Sequence, residues 1–87
     1  MSAILVEVPE RFLSMLGTDR DQAPEAVRLA AAMMYYEMGK LSAGAAAEFA
    51  GIPVPVFYSR LSEFGICAFR QTAEELEIEL RNARGNS

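Results

Sequence analysis

The chain opens on a two-residue alternation and then changes to helical spacing. Ala3 to Val8 sets Ile4, Val6 and Val8 on one side and Leu5 and Glu7 on the other, a branched, period-two pattern that predicts a short strand closed by Pro9. From Glu10 to Leu16 the apolar positions Phe12, Leu13 and Leu16 fall on one side of a short predicted helix, which Gly17 and the polar run Thr18 to Asp21 interrupt. The next helix is expected from near Asp21, as its cap, to Met38, with Pro24 tolerated in the first turn and Gly39 as the stop.

That helix carries two apolar stripes. Val27, Ala30, Ala31, Met34 and Met38 form one, and Ala26, Leu29, Met33 and Tyr36 form the other, so the segment Leu29 to Tyr36 is apolar almost all round. A helix of this kind is buried either centrally in its own domain or across an interface with a second copy. Ser42 then caps a predicted helix over Ala43 to Ala50, and a further helix runs from Pro53 or Val54 to Phe64 and stops at Gly65. Ile66 to Arg70 reads as a brief second strand. The N-terminal strand has two ways to pair, with this segment or with its own copy across a twofold axis. Thr72 with Glu75 matches a capping box and opens a last helix ending near Arg84.

Leu41 to Gly65 has the spacing of a helix-turn-helix. Small Ala47 permits close approach, Gly51 supplies the positive φ of the turn, and Ala46, Ala50, Ile52, Phe57, Leu61 and Phe64 form the wedge between the helices. The expected fold is therefore mainly α: a helix-turn-helix domain over residues 1–70 with a short N-terminal strand and a second short strand after the motif. Residues 71–87 follow as an acidic C-terminal helix or tail.

Charge and composition narrow the chemistry. Eighty-seven residues make one domain, with 8 basic residues against 12 acidic ones, no histidine and no tryptophan. Without histidine there is no Ser-His or Cys-His pair, so no catalytic residue, metal site, cofactor or small-molecule substrate is assigned. The single cysteine, Cys67, forbids an internal disulfide and reads as a small buried hydrophobe in a reducing compartment. Met33, Met34 and Met38 read as core filling, and Glu74, Glu75, Glu77 and Glu79 as a solvated face. The longest apolar run, Leu29 to Tyr36, is eight residues and too short to cross a bilayer. With no basic leader before Glu7, the expected location is cytoplasmic.

The order Val6 to Glu10, then Tyr-x-x-Gly-Lys-Leu-Ser (Tyr36 to Ser42), Ala-Ala-Glu-Phe-Ala-Gly-Ile (Ala46 to Ile52) and Phe-Tyr-x-x-Leu-x-x-x-Gly-Ile (Phe57 to Ile66) resembles an uncharacterised-protein family of small bacterial and archaeal proteins regarded as antitoxins. The likeness runs from about Val6 to Leu80. It implies a protein that neutralises a cognate toxin, typically a PIN-domain ribonuclease, and that also regulates its own operon. Family members usually begin the second motif helix with Ser-Arg-aromatic; this chain has Pro53-Val54-Pro55.

Three surfaces follow as candidates. Ser42, Tyr58, Ser59, Arg60 and Ser62 carry the polar reach of the motif toward operator DNA, although Arg60 is the only cation between Leu41 and Gly65 and faces Glu48 and Glu63. The alternative is a helical protein-interaction module that does not touch DNA. Ala73, Leu76 and Leu80, with Glu75 and Glu79 beside them, form a narrow stripe suited to a groove on the toxin. Ile4, Val6, Leu29, Met33 and Tyr36 are the expected interface of a homodimer.

Overall fold

The computed structural model describes residues 3–68, 70 and 72–85. Among these residues the regular elements are one 3-10 turn, Glu10–Phe12, and four helices: α1 (Ala23–Glu37), α2 (Ala43–Ala50), α3 (Val54–Glu63) and α4 (Thr72–Ala83). The mainly α expectation fits. Neither predicted strand is present among the described residues.

Each strand is lost for a stated reason. Ala3 to Val8 has no regular structure, no backbone hydrogen bond ties it to another described residue, and a strand exists only as part of a ladder. The segment after the motif is spent on other bonds: Ile66 N–H donates to Leu61 O at 2.9 Å, and Ala68 O accepts the Tyr36 hydroxyl at 2.9 Å. Phe69, inside that predicted strand, lies outside the described residues. Cys67 is exposed rather than buried.

The helix boundaries follow local chemistry. Asp19, not Asp21, holds the entry to α1, its carboxylate accepting from Gln22 N–H at 2.9 Å. Pro24 sits in the first turn, where its missing donor costs nothing. The expected helix over Glu10 to Leu16 is only the 3-10 turn, followed by turns that Gly17 closes at φ 73°. Ser42 caps α2 as expected, accepting from Ala45 N–H at 3.1 Å, and Gly51 ends it in the left-handed region at φ 75°.

α2 is the hub and packs against α1, α3 and α4. Its buried positions are all alanine, Ala43, Ala46, Ala47 and Ala50, so the neighbouring helices reach almost to its backbone. From α1 come Ala32, Met33 and Tyr36, and from α3 come Phe57 and Leu61. The Tyr36 and Phe57 rings meet edge to face, 5.6 Å apart at 81°. Of the expected wedge, Ile52 is partly buried and Phe64 is exposed. α1 thus buries one stripe only, and Met34 and Met38 of the other face outward.

Two substitutions on α2 test this packing. Ala46→Leu adds bulk where the side chain is fully buried, and is expected to destabilise by about 1–3 kcal/mol. Gly44→Ala meets open space at an exposed helical position, and is expected to stabilise by about 0.5–1 kcal/mol. Denaturant melts of both variants measure the two shifts in opposite directions.

Candidate functional site

The N-terminus of α2 leaves backbone donors that its own eight residues do not satisfy. α4 supplies the partners. Glu75 Oε1 accepts from Ala43 N–H at 2.7 Å, and Asn82 Oδ1 accepts from Ser42 N–H at 2.9 Å while its Nδ2 donates to Lys40 O at 2.9 Å. The carboxylate of Glu75 therefore sits where the helix dipole favours negative charge. Glu75 was expected to close a capping box with Thr72; it reaches across to another helix instead.

Arg70 completes the junction. Its guanidinium lies over the Tyr36 ring, 3.7 Å from the centroid, and donates to Glu75 Oε2 at 2.8 Å, to Leu41 O at 3.1 Å and to Tyr36 O. With its side chain only 11% exposed, this is a paired structural cation. Burial pushes the Tyr36 hydroxyl above its ordinary pKa, opposed by the neighbouring Arg70 charge.

Against this frame the candidate DNA residues divide. Ser42 is buried in its capping role. On α3 the spacing puts Tyr58, Ser59 and Ser62 on one exposed face with Val54 and Pro55, whereas Arg60 lies on another with Val56 and Glu63. Ser59 Oγ donates to Pro55 O at 3.2 Å, and Arg60 pairs with Glu63 at 3.2 Å. The Tyr58 face holds no charged side chain.

The C-terminal helix divides into an inward face and an outward one. Inward it presents Glu75, Ile78 and Asn82, and Ile78 is only 3% exposed. Outward it leaves Ala73, Leu76, Leu80 and Ala83, with the two leucines 53% and 49% exposed. Beside it an open groove of about 580 Å³ runs between α2 and α4, floored by Gly44, Ala45 and Phe49 and edged by Glu48 and Glu79. The candidate toxin residues are thus split: Ala73, Leu76 and Leu80 face solvent, Glu79 borders the groove, and Glu75 is held inside the junction.

The chain belongs to the Uncharacterised protein family (UPF0175). That family's model matches residues 1–85. Comparison with curated proteins and with solved structures returned no match. In this UPF0175 chain the candidate dimer residues also divide: Met33 and Tyr36 are buried against α2 with Leu29 packed beside them, whereas Ile4 and Val6 are exposed.

Sequence reasoning missed Arg70, Ile78 and Asn82 as organising residues. For α4 a signal existed, since Glu75, Ile78 and Asn82 stand at i, i+3 and i+7 on one helical face. Nothing in the local sequence marked Arg70, whose partners come from three separate segments.

Two outcomes test the junction. Glu75→Ala uncaps α2 and strands the Arg70 charge, so a loss of about 2–4 kcal/mol is expected in denaturant unfolding, with Glu75→Gln recovering part of it. Because the folded chain holds the Tyr36 proton more tightly than the unfolded chain, stability is full below about pH 10 and falls as pH rises beyond it. Tyr36→Phe should remove that Tyr36 contribution to the fall, at the cost of the hydroxyl bond to Ala68 O, about 1 kcal/mol. Unfolding curves between pH 8 and about pH 11 read both effects.

Proposed function

We propose that this chain is an antitoxin-type protein that binds and neutralises a partner protein, and that the outward stripe of α4 is its principal contact. The observation that carries the reading is the orientation of that helix. A C-terminal helix that served only its own domain would turn its leucines inward; this one spends Glu75, Ile78 and Asn82 on the domain and leaves Leu76 and Leu80 outside. Glu77 and Glu79 flank the stripe, and residues 71–87 sum to −2, from four glutamates and two arginines. Such a surface fits an apolar cleft with a basic rim, which is the character of an RNA-binding toxin site. The resemblance to antitoxins of PIN-domain ribonucleases supports the same partner class.

Operator DNA enters as a second reading, favoured by the exposed Tyr58, Ser59 and Ser62 on one face of α3, next to a glycine turn. In it the complex with toxin, or a dimer, represses its own promoter. The neutral face limits the phosphate contribution, so base and protein contacts carry more of the affinity.

Deleting α4 would uncap α2 as well as remove the stripe, so surface substitution is the cleaner experiment. Leu76→Ser with Leu80→Ser is expected to keep cooperative melting yet weaken the complex with the adjacent gene's product by about tenfold to a hundredfold, and to lose neutralisation on co-expression. Unchanged affinity removes the stripe, and a harmless neighbour removes the antitoxin reading. For DNA, mobility shifts with the upstream promoter at several salt concentrations should show Tyr58→Ala weakening binding, whereas Arg60→Ala, on the other face and paired with Glu63, leaves the salt slope unchanged. Unchanged binding by Tyr58→Ala takes that face out of the interface.

A further inference from the structure

The groove between α2 and α4 contains a glycine that the chain itself does not need. Of the six glycines, five stand at positive φ, and Gly44 alone does not. It lies in the first turn of α2, and a Cβ there would meet nothing within 4 Å. Neither a turn nor internal packing therefore calls for glycine here, although glycine weakens a helix relative to alanine. What the missing Cβ does provide is access, since Gly44 lines the groove and lets another chain come down to the helix backbone. Its N–H has no hydrogen-bond partner among the described residues, whereas those of Ser42, Ala43, Ala45 and Ala46 are all engaged.

Charge and shape select the occupant. Glu48 and Glu79 edge the groove from opposite helices, neither forms an ion pair among the described residues, and no basic residue lines it. Its floor includes Phe49, whose ring is 42% exposed beside Ala45. An arginine side chain answers both features: the guanidinium stacks on an aromatic ring and donates to carboxylates in its own plane, while the aliphatic stem covers apolar floor. The free N–H of Gly44 is matched by a backbone carbonyl of the same segment. The groove also runs into the leucine stripe of α4, because Ala83 belongs to both and Glu79 borders both.

We propose that the groove between α2 and α4 receives an arginine-bearing segment of the partner protein, its guanidinium held by Glu48 and Glu79 over Phe49 and its backbone laid on Gly44. The partner is the one named by the antitoxin reading above, on which this contact rests, and the groove adds to the leucine stripe a second, charge-selective point of recognition.

Two probes separate the groove from that reading. Amide spectra of the full chain titrated with the blocked tripeptide Ala-Arg-Ala are expected to show saturable shifts at Gly44, Ala45 and Phe49 that weaken with salt, and blocked Ala-Glu-Ala is expected to leave those amides in place. Against the adjacent gene's product, Gly44→Ala is expected to stabilise the chain yet weaken the complex by about tenfold, two changes of opposite sign that a merely structural glycine does not give. Glu48→Gln with Glu79→Gln is expected to weaken the complex by about tenfold and to make it less sensitive to salt. No shift with the arginine peptide, or equal shifts with the glutamate peptide, overturns the proposal whatever the neighbour does. So does a complex that both sets of variants leave at wild-type affinity; if Leu76→Ser with Leu80→Ser still weakens that complex, the antitoxin reading stands without the groove. A neighbour that does not bind removes the antitoxin reading, and the peptide titration then decides the groove by itself. Shifts at Gly44 and Phe49 that appear on concentrating the chain alone give the groove to a second copy and overturn the proposal as well.

Discussion

An eight-residue helix made mostly of alanine does not persist by itself, because nucleation is costly and alanine offers little apolar area to bury. α2 is nevertheless the centre of this fold. The rest of the structure follows from what it takes to keep such a helix: caps from outside its own sequence and cover on more than one side. Ser42 supplies one local cap, and α4 supplies two distant ones through Glu75 and Asn82. α1 and α3 supply the bulk that alanine lacks, in Met33, Tyr36, Phe57 and Leu61. Arg70 ties the suppliers together, bonding the end of α1, the approach to α2 and the capping carboxylate of α4 at once.

This arrangement explains where the large apolar side chains go. A core floored by alanine is shallow, and each neighbouring helix has room to bury only one narrow stripe against it. The second stripe of α1, with Met34 and Met38, and the leucine stripe of α4 are left outside. α4 shows the consequence most sharply, since its attachment is chiefly polar: two capping side chains, one ion pair, the Arg81 bond to Gly39 O and a single buried isoleucine. A helix held by hydrogen bonds on one face can leave its leucines exposed on the other.

The helices were legible because their punctuation is local. Ser42, Gly51, Pro24 and Gly39 act within a turn of where they stand, and the boundaries of α1 and α2 follow from them. The strands were not legible, because alternation states a side-chain pattern and not the presence of a partner ladder. Ile66 to Arg70 has the composition of a strand, yet its bonding groups and the Arg70 side chain are engaged by Tyr36, Leu41 and Glu75 from distant parts of the sequence. The same distance hid the roles of the candidate residues. Glu75 looked like a member of a solvated acidic face, and Tyr36 like part of an interface, because Ala43 and Ala68, whose backbones they bond, each stand 32 positions away.

With α4 as the contact surface proposed above, its division of labour bears on how such a protein would change partners. Substitutions at Glu75, Ile78 or Asn82 act on the caps and cover of α2, so they are felt by the whole fold. Substitutions at Leu76, Leu80, Glu74 or Glu77 meet solvent and cost little of the fold's stability. The two sets alternate along one helix at helical spacing, which lets the outward sequence vary with the shape and charge of a partner while the inward sequence stays fixed by α2. Specificity then rests on the groups that contribute least to folding, and the scaffold imposes only the direction in which they point.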